Sequence, residues 1–187
     1  MTDDVKNRVM IFIDGSNFYH SCKDSFSIHH YNVDFIKLIN LLVGNRMLVK
    51  VRYYNASLDR GMDAEKYWGQ QKFFEYLRKL PGFEVVLCRM RKDRNKSGNI
   101  SFAVKGDDIN IASDMVGDAY ENIYDTAILI SGDGDFVPAI KRVQKIGKIV
   151  ENAYFVVSFS NHLKGVCNKS VEINKEMINK CIKKSDK

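Results

Sequence analysis

Short apolar runs of strand length recur along this chain and alternate with segments of helix length. The helix-length segments lie at 33–43, 63–80, 108–119 and 136–146. Such alternation predicts an α/β fold: a central, mainly parallel sheet covered by helices on both faces and joined by right-handed crossovers. The strand-like runs are rich in β-branched and aromatic residues, and they lie at 9–13, 48–54, 83–88, 126–130 and 148–157.

Two segments depart from this alternation. Residues 89–96 carry five basic side chains in eight positions and are followed by an apolar stretch at 100–104, so we expect a basic hairpin or arm at about 89–99. Residues 172–183 place apolar side chains at helical spacing, which predicts a C-terminal helix at about 174–184 that docks one face on the body. With no internal repeat or linker, a single domain over 1–187 is expected.

Composition narrows the class of protein. A length of 187 residues with 45% hydrophobic residues suits one compact domain and excludes disordered and collagen-like chains. No apolar run reaches the roughly 18–20 residues of a membrane helix, and the first ten residues are too polar for a secretion signal, so we expect a cytoplasmic protein. The four cysteines form no CxxC pair and are expected to be reduced. A net charge of +6 is compatible with a polyanionic partner without establishing one.

Acidic residues follow the predicted strands. Asp14 comes after the first strand, Asp108 opens a helix, and Asp133 and Asp135 follow the strand at 126–130. In open parallel sheets, ligands bind beyond the carboxyl ends of the strands, where these carboxylates would meet and repel one another. A divalent cation relieves that repulsion, and all-oxygen ligands favour Mg²⁺ or Mn²⁺. The pattern therefore indicates metal-assisted phosphodiester hydrolysis.

Each acid also has a structural interpretation. Asp14 could begin a turn, Asp108 could cap the helix that follows, and Asp135 stands just before a helix with Pro138 in its first turn, a good N-cap position. Asp133 has no such capping role in the sequence. The interleaved glycines of SGDGDF (131–136) are expected to push both carboxylates outward.

Neighbouring polar residues are candidates for supporting roles. Asn17 could hold a phosphate oxygen or a metal-bound water, or cap a helix. Lys105 could pair with a phosphate. Asp114 is either an outer acid of the site or a salt-bridge partner, and we expect Ser131 to support the site from outside the ligand set.

Two further groups could contact nucleic acid, although neither distinguishes RNA from DNA. Basic side chains of the arm could each neutralise a phosphate or simply be solvated; they are Arg89, Arg91, Lys92, Arg94 and Lys96. Aromatic side chains in the helical segment at 63–80 could stack on unpaired bases, although their helical spacing places most of them in the core; they are Tyr67, Trp68, Phe73, Phe74 and Tyr76.

Four motifs together resemble a known family. FIDGSN (12–17), KGDDINIASD (105–114), SGDGDF (131–136) and SFSNHL (158–163) are similar to the NYN domain, particularly its LabA-like branch, in the PIN-like nuclease superfamily. The resemblance implies a PIN-like three-layer α/β/α sandwich and a metal-dependent ribonuclease site. It matches the family's acids to Asp14, Asp108, Asp114, Asp133 and Asp135, and its asparagine to Asn17. This chain departs from it at Asn168, where related sequences have an aspartate.

The leading hypothesis is therefore a Mg²⁺- or Mn²⁺-dependent endoribonuclease acting on RNA, expected to be single-stranded; a homodimer stays open. In this hypothesis Asp14, Asp133 and Asp135 bind the metal ion, Asp108 completes its ligands or orients water, and Asn17 positions phosphate. One alternative is a non-catalytic module that binds RNA or a protein. The other is a haloacid-dehalogenase-type phosphatase, which ranks lower because Ser16 occupies the position of its second acid.

Overall fold

A seven-stranded sheet forms the centre of the protein, with strand order β4-β3-β2-β1-β5-β6-β7. The structure is a computed structural model that describes residues 7–61, 63–94 and 100–183, with the backbone alone at 90–94 and 100–105. Six strands run parallel, and β4 pairs antiparallel with β3 at one edge. The strands are β1 (Arg8–Asp14), β2 (Met47–Ala56), β3 (Phe83–Arg94), β4 (Ile100–Lys105), β5 (Thr126–Ile130), β6 (Ile149–Tyr154) and β7 (Lys169–Glu172).

Helices cover both faces of the sheet, as the alternation predicts. Within the described residues, α1, α2, α3 and α7 contribute to the core on one face and α4, α5 and α6 to the core on the other. The fold is the PIN-like α/β/α sandwich expected from the motifs. The helices are α1 (Gly15–Phe26), α2 (Phe35–Val43), α3 (Ala64–Arg78), α4 (Asp107–Tyr120), α5 (Val137–Lys145), α6 (Asn161–Val166) and α7 (Lys175–Lys180).

Strand β1 shows why its sequence is a continuous apolar run. Successive side chains of a strand point to opposite faces, so Ile11 and Ile13 pack in the first core, while Met10 and Phe12 pack in the second. All four are at most 1% exposed. A strand buried on both faces has apolar residues at successive positions, because neither face meets solvent. The strand ends at Asp14, which therefore lies at the end of a sheet covered on both sides.

The structure differs from the sequence prediction toward the C-terminus. The run predicted as one strand at 148–157 divides into β6 and a 3₁₀ turn at Val156–Ser158. Strand β7 and helix α6 were not predicted, because four and six residues are too short to show periodicity. Helix α7 is also shorter than the segment at 174–184, although Ile178 and Cys181 are buried as expected for a docked face.

Candidate active site

A cavity of about 1250 Å³ opens where the parallel strands have their carboxyl ends. We call this end of the sheet its carboxyl edge, and the opposite end its amino edge. Strands β1 and β5 are parallel neighbours with Ile13 beside Ile130, so the residues that follow both strands emerge together. The first turn of α4 adds two more acids at the same edge. Six carboxylates line the cavity: Asp14, Asp107, Asp108 and Asp133 belong to this edge, and Asp63 and Glu65 belong to the start of α3.

Hydrogen bonds tie the ends of β1 and β5 together. The Ser131 hydroxyl donates to Asp14 Oδ2 at 3.0 Å and accepts from the Asp133 backbone N–H at 3.1 Å. The Asn17 side-chain carbonyl accepts from the Gly132 backbone N–H at 3.2 Å. Ser131 and Asn17 therefore fix the position of one acidic loop relative to the other.

Gly132 and Gly106 shape the backbone around the cavity. A Cβ atom at Gly132 would lie 1.6 Å from the backbone oxygen of Ser158, so no side chain fits where this loop passes the 3₁₀ turn. Gly106 has a φ of 83°, in the left-handed region that favours glycine, and directly precedes Asp107 and Asp108. Both glycines thus let the backbone bring acids to the cavity.

Burial and the charges of neighbouring acids raise the pKa values of Asp14 and Asp108. Asp14 is only 5% exposed, and burial raises its pKa, with further increases from the charges of Asp107 and Asp133. Hydrogen bonds from the Asn17 backbone and from Ser131 oppose this increase. Burial and the neighbouring charges of Asp107, Asp14, Asp133 and Asp135 raise the pKa of Asp108 to about 6. These shifts place the carboxylates in one electrostatic cluster.

Two of the structural interpretations are corrected by the hydrogen bonds. Asp133, expected to have no capping role, accepts a hydrogen bond from the Asp135 backbone N–H at 2.9 Å and begins a 3₁₀ turn. Asp135 was expected to suit the N-cap of the following helix, but α5 is preceded by Phe136 and has no side-chain cap. The extra 3₁₀ turn displaces Asp135 from the cap position.

Asp14 and Asp108 also differ in their local roles. The Asp14 carboxylate accepts from the Asn17 backbone N–H at 2.9 Å and thereby caps α1, while it still lines the cavity. Asp108 does not cap α4, whose N-cap is Gly106 without a side-chain hydrogen bond. Capping therefore accounts for the position of Asp14 but not for that of Asp108.

Asp135 and Asp114 lie farther from the centre of the cluster. Asp135 is exposed and outside the cavity lining, although its charge reaches Asp108. Asp114 accepts a hydrogen bond from the Tyr54 hydroxyl at 2.8 Å and pairs with Arg52 at 3.4 Å. Of its two predicted roles, the salt-bridge partner is the one that these contacts describe.

The basic arm is described only in part. Arg89 is exposed and pairs with Lys105 in the ladder between β3 and β4, and Lys105 stands two residues before the acids of α4. Arg91, Lys92 and Arg94 lie on β3, and Lys96 lies outside the described residues. The backbone therefore places the described basic residues on β3 and β4, and β4 precedes the acids at the start of α4.

The aromatic residues of α3 belong mostly to the core, as their spacing predicts. Phe73 and Phe74 are buried, and Tyr76 packs against the same core. Trp68 is 49% exposed, with the Arg60 guanidinium 5.4 Å above its ring.

Sequence reasoning missed several residues of the cavity. Asp107 was not selected as a site residue, although its neighbour Asp108 was. Asn55 lies on β2, one residue after Tyr54, which pairs with Asp14 at the end of β1, and it also lines the cavity. The rule on carboxyl ends of strands would have found Asn55. A group of tyrosine and histidine residues that lines the cavity was also missed, because its members come from α1 and the turn before α2 and share no sequence motif. They are Tyr19, His20, His29, His30 and Tyr31.

The donors suit a hard divalent cation in kind, because carboxylate and amide oxygens are the ligands that Mg²⁺ and Mn²⁺ prefer. Among the residues that the structure describes, however, no three His, Cys, Asp or Glu side chains are grouped closely enough to hold a metal ion. Magnesium sites commonly retain several waters and take further ligands from substrate phosphate. The carboxylates present thus fit a hydrated ion, whose charge would relieve the repulsion that contributes to the raised pKa values of Asp14 and Asp108.

The layered fold and the acidic cavity at its carboxyl edge define a PIN-like domain of the nuclease type. The chain belongs to the NYN domain family, whose model matches residues 8–174. A crystal structure of a protein of unknown function from Vibrio parahaemolyticus is similar over 98% of this chain and 100% of that one, with a TM-score of 0.75 and 25% identity. No curated protein sequence shows significant similarity to this chain. The assignment to the LabA-like branch stays a prediction.

The family places the protein in a superfamily of nucleases that generally act on RNA with divalent metals. No helix within 7–61, 63–94 and 100–183 is long and apolar enough to cross a bilayer.

Proposed function

We propose that the protein is a divalent-metal-dependent ribonuclease that hydrolyses RNA phosphodiester bonds at the acidic cavity. The observation that carries this proposal is the convergence of Asp14, Asp107, Asp108 and Asp133 on one cavity at the carboxyl edge of the sheet. Structural carboxylates are normally paired, whereas functional sites are where like charges are held together. Membership of the NYN family supports a nuclease over a phosphatase of the haloacid-dehalogenase type.

In this proposal Asp14, Asp108, Asp133 and Asp135 would hold Mg²⁺ or Mn²⁺. When bound, the metal ion would act as a Lewis acid that activates water and neutralises charge on the phosphate. Asp107, which the sequence did not single out, would contribute further negative charge to the site.

The protein's own residues orient these groups. Ser131 holds the Asp14 carboxylate and the Asp133 backbone in a fixed relation, because its hydroxyl bonds to both. The Asn17 carbonyl is held by Gly132, which fixes the amide plane and directs its NH₂ group away from the loop, where it can donate to a phosphate oxygen. Lys105 and the arm residues Arg89, Arg91, Lys92, Arg94 and Lys96 would attract the RNA backbone.

The test is cleavage of labelled single-stranded RNA with Mn²⁺ or Mg²⁺, comparing the wild type with Asp133→Asn. We expect the variant to lose at least about 100-fold in rate, the usual scale for removing one group that stabilises charge in a transition state. Asp24→Asn, an exposed carboxylate on α1, is the matched control and should cleave normally. Equal rates for Asp133→Asn and wild type would refute the site.

One observation favours a second candidate, a module that binds RNA without cleaving it. No three potential ligands within the described parts of the chain are grouped as a metal site. Salt-sensitive RNA binding with no turnover in any divalent metal would establish this alternative.

A further inference from the structure

Part of the cavity wall is built from imidazole and phenol rings. Tyr19 and His20 come from α1, and His29, His30 and Tyr31 come from the turn before α2. We call these five residues the ring wall. Tyr19 stands edge-on to His20, His29 and His30, with ring centroids 5.0, 5.8 and 5.0 Å away.

The ring wall is supported from behind by the core. Phe73 of α3 is buried and lies 4.6 Å from the His30 ring and 4.7 Å from the Tyr31 ring. Tyr31 and His30 also contact each other, with centroids 4.2 Å apart. Rings packed on a buried core lose little freedom when a planar ligand stacks on them, which favours binding.

His30 has an unfulfilled hydrogen-bonding group. The residue is only 6% exposed, it lines the cavity, and no described residue bonds to its Nδ1 atom. Burial, with the nearby charges of His29 and Lys183, lowers its pKa to about 3, so the ring is neutral at physiological pH. Burying a polar nitrogen without a partner is unfavourable, and a ligand that supplies the hydrogen bond relieves the cost.

A metal ion is not the ligand that this wall suits. Although it holds three histidines, no trio of metal-ligating side chains among the described residues could hold an ion. Aromatic rings beside an unpaired polar atom are the features that bind a nucleobase, by stacking on its face and hydrogen bonding to its edge.

Resting on the proposed ribonuclease function, we propose that the ring wall is a nucleobase subsite that holds an unstacked base of single-stranded RNA while the neighbouring phosphate lies at the aspartates. The cavity of about 1250 Å³ is continuous from Asp14, Asp108 and Asp133 to His29 and Tyr31. That volume exceeds the roughly 300–1000 Å³ of pockets for a single drug-sized ligand. It therefore has room for a base together with its phosphate.

A base in a duplex cannot reach this wall, because both of its faces are stacked and its edge is paired. The subsite thus gives a physical reason for a preference for single-stranded RNA. It also places the specificity of the protein in residues other than the acids that perform the chemistry.

The test measures binding of a short single-stranded RNA in EDTA, so that binding is separated from turnover. Fluorescence anisotropy is recorded for the intact oligonucleotide and for copies with one abasic position moved along the chain. We expect one abasic position to weaken binding by about 5- to 150-fold, the range measured for base stacking on aromatic side chains. No abasic position with an effect would overturn the subsite.

Variants locate the effect on the ring wall. Tyr19→Leu removes the ring at similar bulk, and His30→Phe keeps a ring but removes its nitrogens. Tyr19→Leu is expected to bind the intact RNA only as well as wild type binds the sensitive abasic copy. His30→Phe keeps a ring that can stack, so its affinity is expected to fall by a smaller factor. Tyr120→Leu changes an 82% exposed tyrosine at the far end of α4 and should bind like wild type. Unchanged affinity in both ring variants, with melting temperatures confirming that they fold, would refute the proposal.

The outcomes for the two proposals can be told apart. If RNA is cleaved and Asp133→Asn abolishes cleavage, while abasic positions and ring variants change nothing, the subsite is wrong and the ribonuclease stands. If no divalent metal supports cleavage but binding depends on one base, the ribonuclease is wrong and the ring wall is a base-binding surface of a non-catalytic module.

Discussion

Replacing Asp108 by asparagine should stabilise the metal-free protein while it removes function. The folded-state pKa of Asp108 is about 6, above its ordinary value of 3.8, because burial and four neighbouring aspartates oppose ionisation. An acid with a raised folded pKa binds its proton more tightly when folded, so it lowers stability as the pH rises from 3.8 toward 6. Above pH 6 the full destabilisation is present, and Asp108→Asn removes it.

The size of the effect follows from the two pKa values. One pKa unit corresponds to about 1.4 kcal/mol, so the interval between 3.8 and about 6 gives an upper limit of about 3 kcal/mol. The side chain is only half-buried, and solvent screening reduces this to about 1–2 kcal/mol. Asparagine nearly matches aspartate in shape, so we expect no packing loss to offset the gain.

The assay is urea unfolding in EDTA at pH 7.5 and at pH 4. Asp108→Asn should be more stable than wild type at pH 7.5, and the gain should shrink toward zero at pH 4, where the wild-type carboxyl is protonated in the folded state. Asp24→Asn, at an exposed position, should match wild type at both values. A variant that is less stable at pH 7.5, or whose gain does not change with pH, would show that Asp108 is not strained by its neighbours.

Two further predictions test the fold around the site and at the opposite edge of the sheet. Gly132→Ala should lower the free energy of unfolding in urea by roughly 3 kcal/mol or more, because its Cβ would meet the Ser158 backbone oxygen. Gly117→Ala, where a Cβ meets open space, is the control and should be neutral or slightly stabilising. Equal stability of the two variants would contradict the close approach. Asp125→Asn should cost about 1–2 kcal/mol at pH 7, because Arg8 donates two side-chain hydrogen bonds to the carboxylate. Arg8 holds the pKa of Asp125 below its usual range, so stability present above 3.8 is lost as the pH falls further, and the difference between wild type and variant should shrink in acid; a constant difference would refute this.

The centre of the sheet was predictable because β1 and β5 are buried on both faces. The apolar run at 126–130 has the same bounds as β5, because all five of its residues are buried and the strand shows no alternation of buried and exposed positions. The short elements β7 and α6 were not predictable, because their positions depend on tertiary contacts. Asn168 is an example: its side-chain carbonyl accepts from the Val150 backbone N–H at 2.9 Å and so ties the chain to β6 just before β7.

The acids of the candidate site were accessible to sequence reasoning for a topological reason. Parallel strands that are neighbours bring their carboxyl ends together, so Asp14 and Asp133 could be placed in one region without any side-chain detail. The ring wall was not accessible in this way. Tyr19 of α1 and Tyr31 of the following turn line the same cavity, and Tyr31 packs on Phe73 of α3, but nothing in the sequence signals this arrangement.

The two edges of the sheet treat their acids differently, and the difference argues for function at one of them. At the amino edge Asp125 lies 2.8 Å from Arg8, and in the body of the sheet Glu151 lies 2.9 Å from Arg46. Among the described residues, no cationic side chain pairs with Asp14, Asp107, Asp108 or Asp133 at the carboxyl edge, whereas Asp63, which also lines the cavity, pairs with Lys66. A scaffold under selection for stability alone would separate such charges or pair them, as this chain does elsewhere. The unpaired carboxylates at this edge, with that of Asp14 held in place by Ser131, therefore support the proposed cationic ligand and phosphate chemistry.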